Sequence, residues 1–177
     1  ISPFIKIGAM EDEKFAEQVK EIILYSTTKN ASADTEDSNE LINSGSKTFT
    51  TLEGYKNRLT EQNKKVLYST DEVSQSTALN MWTSQGKEVL KLDTVIDTQF
   101  IPWLEEKNKE INFVRVDSEL DESIKDDSPE IADKDGNTKS ETLKKMISSA
   151  LNNEKVTVQV QSLKGENSPP SLILLPE

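Results

Sequence analysis

Between residues 64 and 117, short apolar runs alternate with amphipathic stretches, and this order constrains the fold more than any other feature of the chain. KKVLYST (64–70), KEVLKL (87–92) and INFVRVD (111–117) have the length and composition of strands. Between the first two, DEVSQSTALNMWTSQ (71–85) places Ala78, Leu79 and Trp82 on one side of a helix, and Gly86 follows where a helix end favours a left-handed residue. Between the second and third, residues 97–107 form another helical stretch. Strand, helix, strand, helix, strand at this spacing predicts parallel strands joined by crossovers. The expected fold is α/β: a small three-layer α/β/α sandwich with a short parallel sheet. Val66, Leu67, Val89, Leu90, Phe113 and Val114 would be its core.

The flanking segments differ. EDEKFAEQVKEIILYS (11–26) sets Phe15, Val19, Ile22 and Ile23 at helical spacing with acids in the first turn. Residues 27–47 are rich in Ser, Thr, Asn and Asp and are expected to form a long loop. Thr50 and Glu53 then have capping-box spacing, with Leu52, Tyr55 and Leu59 on one face beyond them. Residues 117–136 are acid-rich and fit a solvated linker. Thr138 and Glu141 repeat the capping spacing before a helix with Leu143, Met146, Ile147, Ala150 and Leu151 on one face. KVTVQVQSL (155–163) alternates like a half-buried strand, and SLILLP (171–176) fits its returning partner. The expected layout is therefore an α/β unit over 1–116, a linker over 117–136, and a partial α+β unit of helix plus β-hairpin over 137–177. The chain opens inside a helical pattern without an initiator methionine, as a piece of a longer protein would.

Composition narrows the chemistry. With neither Cys nor His, the chain has no disulfide, no thiolate or imidazole catalyst and no zinc site of the usual ligands. Its 32 acidic against 21 basic residues give a net charge of −11, which disfavours nucleic acid and anionic membrane surfaces as partners. No apolar run approaches the roughly 20 residues that a spanning helix needs.

Carboxylates remain. Asp71, Asp93 and Asp117 stand at the carboxyl ends of the three expected strands, where open parallel sheets bind ligands. A receiver-like or ligand-binding module with a carboxylate/Mg²⁺ site is the alternative they raise. Helix-start chemistry already accounts for Asp71, and the same holds for Asp97, which precedes Thr98 and Gln99. Pro102 is tolerated in a first turn, so regular helix is expected to begin near Thr98 or Gln99. Trp103 either packs partly buried or offers an aromatic to a partner. In DKDGN (133–137) the glycine comes too early for an EF-hand loop.

Taken in order, the segments resemble the heat-shock protein 90 chaperone family, particularly its bacterial HtpG type. FIKIGAMEDEKF (4–15) is similar to a middle-domain segment of that family. TTLEGYKNRLTEQNKKVLYST (50–70) has Tyr55, Arg58, Gln62 and Tyr68 in the places of a family signature. GKEVLKLDTVIDTQFIPWL (86–104), with Asp97 at the family's aspartate, and FVRVDSE (113–119) continue the likeness. LKKMISSALNNEKVTVQVQSLKGENSPPSLIL resembles the opening of the C-terminal domain. The resemblance implies the distal part of the middle domain, with no catalytic residue and no cofactor or metal in this segment. ATP and Mg²⁺ would belong to an N-terminal domain of the full-length parent, and Arg58 and Arg115 would not inherit the family's hydrolysis-assisting arginine role. It also implies unfolded or partly folded client proteins as partners, a homodimer formed through helices beyond Glu177, and a cytoplasmic location. The client-facing surface would involve Thr98, Gln99, Phe100 and Trp103.

Overall fold

The computed structural model describes residues 2–29, 41–45, 47–60, 64–92, 94–118, 125, 137–153 and 155–162. Two compact units divide after residue 119.

In the first unit, α1 (Ser2–Glu11) and α2 (Glu13–Val19) meet at Asp12, whose carboxylate accepts from the backbone N–H groups of Lys14 and Phe15 and so caps α2. Close approach of the two helices needs Gly8: a Cβ there would stand 2.9 Å from the Phe15 ring. α2 is shorter than the pattern over 11–26 predicts. The chain leaves helix after Val19, and Tyr25–Thr27 form β1. β2 (Leu41–Ser44) and β3 (Lys47–Thr50) follow, so the expected loop over 27–47 contributes strands instead. The physical reason is pairing. β3 lies antiparallel to β1 and β2 antiparallel to β3, which satisfies backbone groups that a polar stretch would otherwise give to water.

α3 (Leu52–Asn57) leads to β4 (Lys65–Ser69), α4 (Ser76–Ser84), β5 (Leu90–Lys91), α5 (Asp97–Lys107) and β6 (Asn112–Arg115). The six strands have the order β2-β3-β1-β5-β4-β6. β4 runs parallel to β5 and β6, as the alternating strands and helices predict; β1 joins this half to the antiparallel half by pairing with β5. The sheet is therefore mixed rather than wholly parallel.

Alternation along β4 divides the core into two layers. Val66 and Tyr68 belong to a cluster with Ala9, Val19, Leu52, Phe100 and Leu104 from α1, α2, α3 and α5. Leu67 and Ser69 face the other way, where α4 buries Ala78, Leu79, Met81 and Trp82. The Trp82 indole N–H donates to the Val116 carbonyl at 2.9 Å, tying α4 to the chain after β6. Gly86 closes α4 with φ 73°, as its position predicts. Burial of each large apolar side chain contributes about 1.5–3 kcal/mol.

Two local expectations change. The cap of α3 is Thr51, whose hydroxyl accepts from the Gly54 N–H, while Thr50 is the fully buried last residue of β3. Glu53 sits in the first turn and pairs with Lys56. Pro102 is inside α5 rather than in its first turn, because the helix begins at Asp97. Among the described residues no helix is long and apolar enough to cross a membrane.

The second unit contains α6 (Lys139–Leu151). Thr138 accepts from the Glu141 N–H and the Glu141 carboxylate accepts from the Thr138 N–H, a reciprocal capping box. Asn152 ends the helix in the left-handed conformation with φ 43°. Leu143, Met146, Ile147 and Leu151 are all exposed. Residues 155–162 form no strand despite their alternation. Alternation specifies a face but cannot supply the pairing that a strand needs. The expected return over 171–176 lies outside the described residues, as does most of the 117–136 segment.

Candidate functional site

The turn before α5 is built by a local device. Thr94 and Asp97 have capping-box spacing: Asp97 Oδ2 accepts from the Thr94 N–H at 2.9 Å and from its hydroxyl at 2.6 Å. The other carboxylate oxygen accepts from the Lys6 ammonium of α1 at 2.5 Å. Asp97 is 1% exposed and Lys6 4%, so this is a buried ion pair between helices. The Lys6 ammonium also lies 5.6 Å from the Tyr25 ring centroid and 5.4 Å from that of Phe100, within cation–π range. Every described contact of Asp97 is structural: it starts a helix and holds α1 against it.

Around this corner the four candidate surface residues separate. Thr98 and Gln99 are exposed. Phe100 is completely buried, which removes it from any surface. Trp103 is half-buried and stacks on Phe100 with centroids 5.2 Å apart. Two residues that sequence reasoning passed over complete the edge. Val95 is 93% exposed and Val73 85%, in the segments that follow the adjacent parallel strands β5 and β4. The Lys91–Glu72 ion pair at 2.9 Å ties these two segments together.

At the strand ends the candidate acids are already engaged. Gln75 is the organiser: its carbonyl oxygen accepts from the Ser69 hydroxyl and the N–H groups of Thr70 and Asp71, and its amide donates to Asp117. Asp117 also accepts from Arg115 at 2.5 Å. A hydrogen bond from the Ser74 side chain, joined by those that the Asp71 carboxylate accepts from the N–H groups of Val73 and Ser74, holds its pKa below the usual aspartate value. Asp93 lies outside the described residues. Among the described residues no group of three carboxylates is placed to hold a metal ion.

A second buried polar centre joins the two halves of the sheet. Arg58 grips Glu88 through two hydrogen bonds of 2.9 and 2.8 Å, and its guanidinium also donates to the Thr50 hydroxyl. Thr27 donates to the same carboxylate. The Tyr55 hydroxyl donates to the Glu88 carbonyl and accepts from the Leu67 N–H. Burial pushes the Tyr55 phenol well above its ordinary pKa, and burial assisted by the Asp97 charge does the same for Tyr25. Arg58 is therefore a clamp between β3 and the start of β5, and Arg115 is paired with Asp117.

No curated protein matches this sequence. The family model described as Hsp90 protein matches residues 1–173. The chain belongs to the Hsp90 family. Among solved structures, the middle domain of a Plasmodium falciparum heat shock protein is similar at 22% identity and a TM-score of 0.46. That match covers 66% of this chain and 44% of the other, so the chain spans less than half of that structure's length. Of the residues that carry the Hsp90 resemblance, Tyr55 and Arg58 build the polar clamp, Tyr68 is core and Asp97 anchors α1. Gln62 lies outside the described residues. Glu88, Lys6 and Gln75 were not legible as site residues, although the spacing of Thr94 and Asp97 carries a readable signal.

Proposed function

We propose that this Hsp90-family chain serves as the distal middle-domain segment of an ATP-dependent molecular chaperone, joined to the beginning of the C-terminal domain. The likeness of FVRVDSE to bacterial members supports the HtpG type and a cytoplasmic location. The segment is non-catalytic. It carries the closing motion of a nucleotide-binding domain, which holds ATP and Mg²⁺ in the full-length parent, towards the helices that form the homodimer. The single observation that carries this function is the family match across nearly the whole chain.

Client proteins meet the edge formed by Val73, Val95, Thr98 and Gln99, with Trp103 contributing its exposed part. Two valines more than four-fifths exposed beside uncharged polar side chains form a surface that an unfolded apolar segment can use without displacing ion pairs. A permanently unfolded protein, such as reduced and carboxymethylated lactalbumin, tests this edge. Added to the isotopically labelled chain, it should shift the amide resonances of Val73, Val95, Thr98 and Gln99. Val95→Asp should remove those shifts without altering thermal stability. Shifts confined to other residues would exclude this client edge, and saturable binding of ATP by this chain would overturn the non-catalytic assignment.

A further inference from the structure

A cleft of about 170 Å³ opens beside α2 and α5. Ala16, Ile23, Tyr25, Leu52 and Leu104 supply its apolar surface, and Trp103 stands at its side. Its size restricts what it can take, since an apolar cavity of roughly 150 Å³ holds one benzene ring. The surrounding charges are balanced. Glu13 pairs with Lys107 and Glu17 with Lys20, each at 2.6 Å, so the rim selects neither anion nor cation.

One wall group lacks a partner. Tyr25 is 3% exposed, and its hydroxyl makes no hydrogen bond among the described residues. Every described side-chain nitrogen or oxygen that is sealed from solvent does have a partner. The Tyr25 hydroxyl must therefore reach accessible space, and the cleft is the space that Tyr25 lines. A nearly buried donor on a residue in the wall of a ring-sized cleft suits a ligand with a complementary acceptor.

We propose that this cleft binds an uncharged single-ring aromatic compound carrying one hydrogen-bond acceptor, with the ring against the apolar walls and the acceptor on the Tyr25 hydroxyl. The site shares Trp103 with the client edge but differs from it in chemistry, and it does not depend on client binding.

Acetophenone has the required ring and carbonyl, whereas ethylbenzene has the ring alone. Both can be titrated into the nitrogen-labelled 177-residue chain while the resonances of its two indole N–H groups are followed, assigned with Trp103→Phe. Acetophenone should shift the Trp103 resonance saturably and leave that of Trp82 in place, because Trp82 is buried against Val116. Ala16→Met, which fills the cleft, should abolish the shift. Tyr25→Phe should weaken acetophenone about three- to tenfold and leave ethylbenzene unchanged. Should Tyr25→Phe fail to fold, the wild-type preference for acetophenone over ethylbenzene decides the role of the hydroxyl. A Trp103 shift that does not saturate, or unchanged binding in Ala16→Met, overturns the site. Equal affinity for the two compounds in the wild type overturns the role of Tyr25.

Discussion

The ammonium of Lys6 and the carboxylate of Asp97, 91 residues apart in sequence, meet at 2.5 Å with almost no access to water. Two further hydrogen bonds from Thr94 hold the carboxylate, so α1 is fastened to the first turn of α5. The client edge proposed above begins at that turn. Any displacement of α1 would therefore bear directly on Val95, Thr98 and Gln99.

Removing one partner leaves the other charge buried. Lys6→Met should cost about 3–5 kcal/mol in urea unfolding, whereas adding Asp97→Asn to it should recover a large part of that loss. A Lys6→Met chain as stable as the wild type would show that the pair does not fasten the helices.

The Arg58–Glu88 clamp depends on a planar fork. Arg58→Lys keeps the charge but cannot reproduce both bonds to the carboxylate or the third to Thr50. A loss of about 2–3 kcal/mol is expected, measured by the denaturation midpoint. Tyr55→Phe leaves the Leu67 N–H without its phenolic acceptor and should cost about 1–3 kcal/mol by the same measurement.

Capping of α3 can be tested residue by residue. Thr51→Ala should destabilise the chain by about 1 kcal/mol, because it removes the acceptor for Gly54. Glu53→Gln should lie within about 0.5 kcal/mol of the wild type, since its ion pair with Lys56 is largely exposed on the glutamate side. A Thr51→Ala chain as stable as the wild type would show that Thr51 does not cap α3.

Alkali provides a further test. The folded-state pKa values of Tyr25 and Tyr55 are raised, so these phenols favour the folded chain fully at pH values below the ordinary tyrosine pKa of about 10. Above that value the unfolded chain loses protons that the folded chain keeps, and stability falls as pH rises towards the folded-state values. Phenolate absorbance should consequently develop together with loss of circular dichroism. Ionisation of both phenols in a chain that remains folded would contradict their burial.

The parallel half of the sheet was legible because KKVLYST, KEVLKL and INFVRVD each carry several apolar side chains between clear helical stretches. The antiparallel half was not. β1 has three residues, and in EIILYST its apolar positions continue a helical spacing. In β2, Leu41 is buried and Ile42 exposed, at the end of a stretch rich in Ser, Thr, Asn and Asp. Such strands are specified by distant partners more than by their own pattern. The candidate site divides in the same way. Asp97 and Trp103 stand out by residue type, whereas Lys6 and Glu88 acquire their significance through partners 91 and 30 residues away. Phe100 belongs to an apolar stretch in which composition cannot say which aromatic turns inward.

The junction between the two halves of the sheet consists of two paired positions, Ser26 with Lys91 and Thr27 with Leu90. Thr28 and Val89 extend it by two hydrogen bonds, and Glu88 fastens it from Thr27 and Arg58. A ladder this short would fray under tension without that side-chain rivet. Force entering through the antiparallel strands is shared between this rivet and the apolar core that Tyr25 and Leu52 form with Val66 and Tyr68, so losing Glu88 would lower the load at which the junction opens.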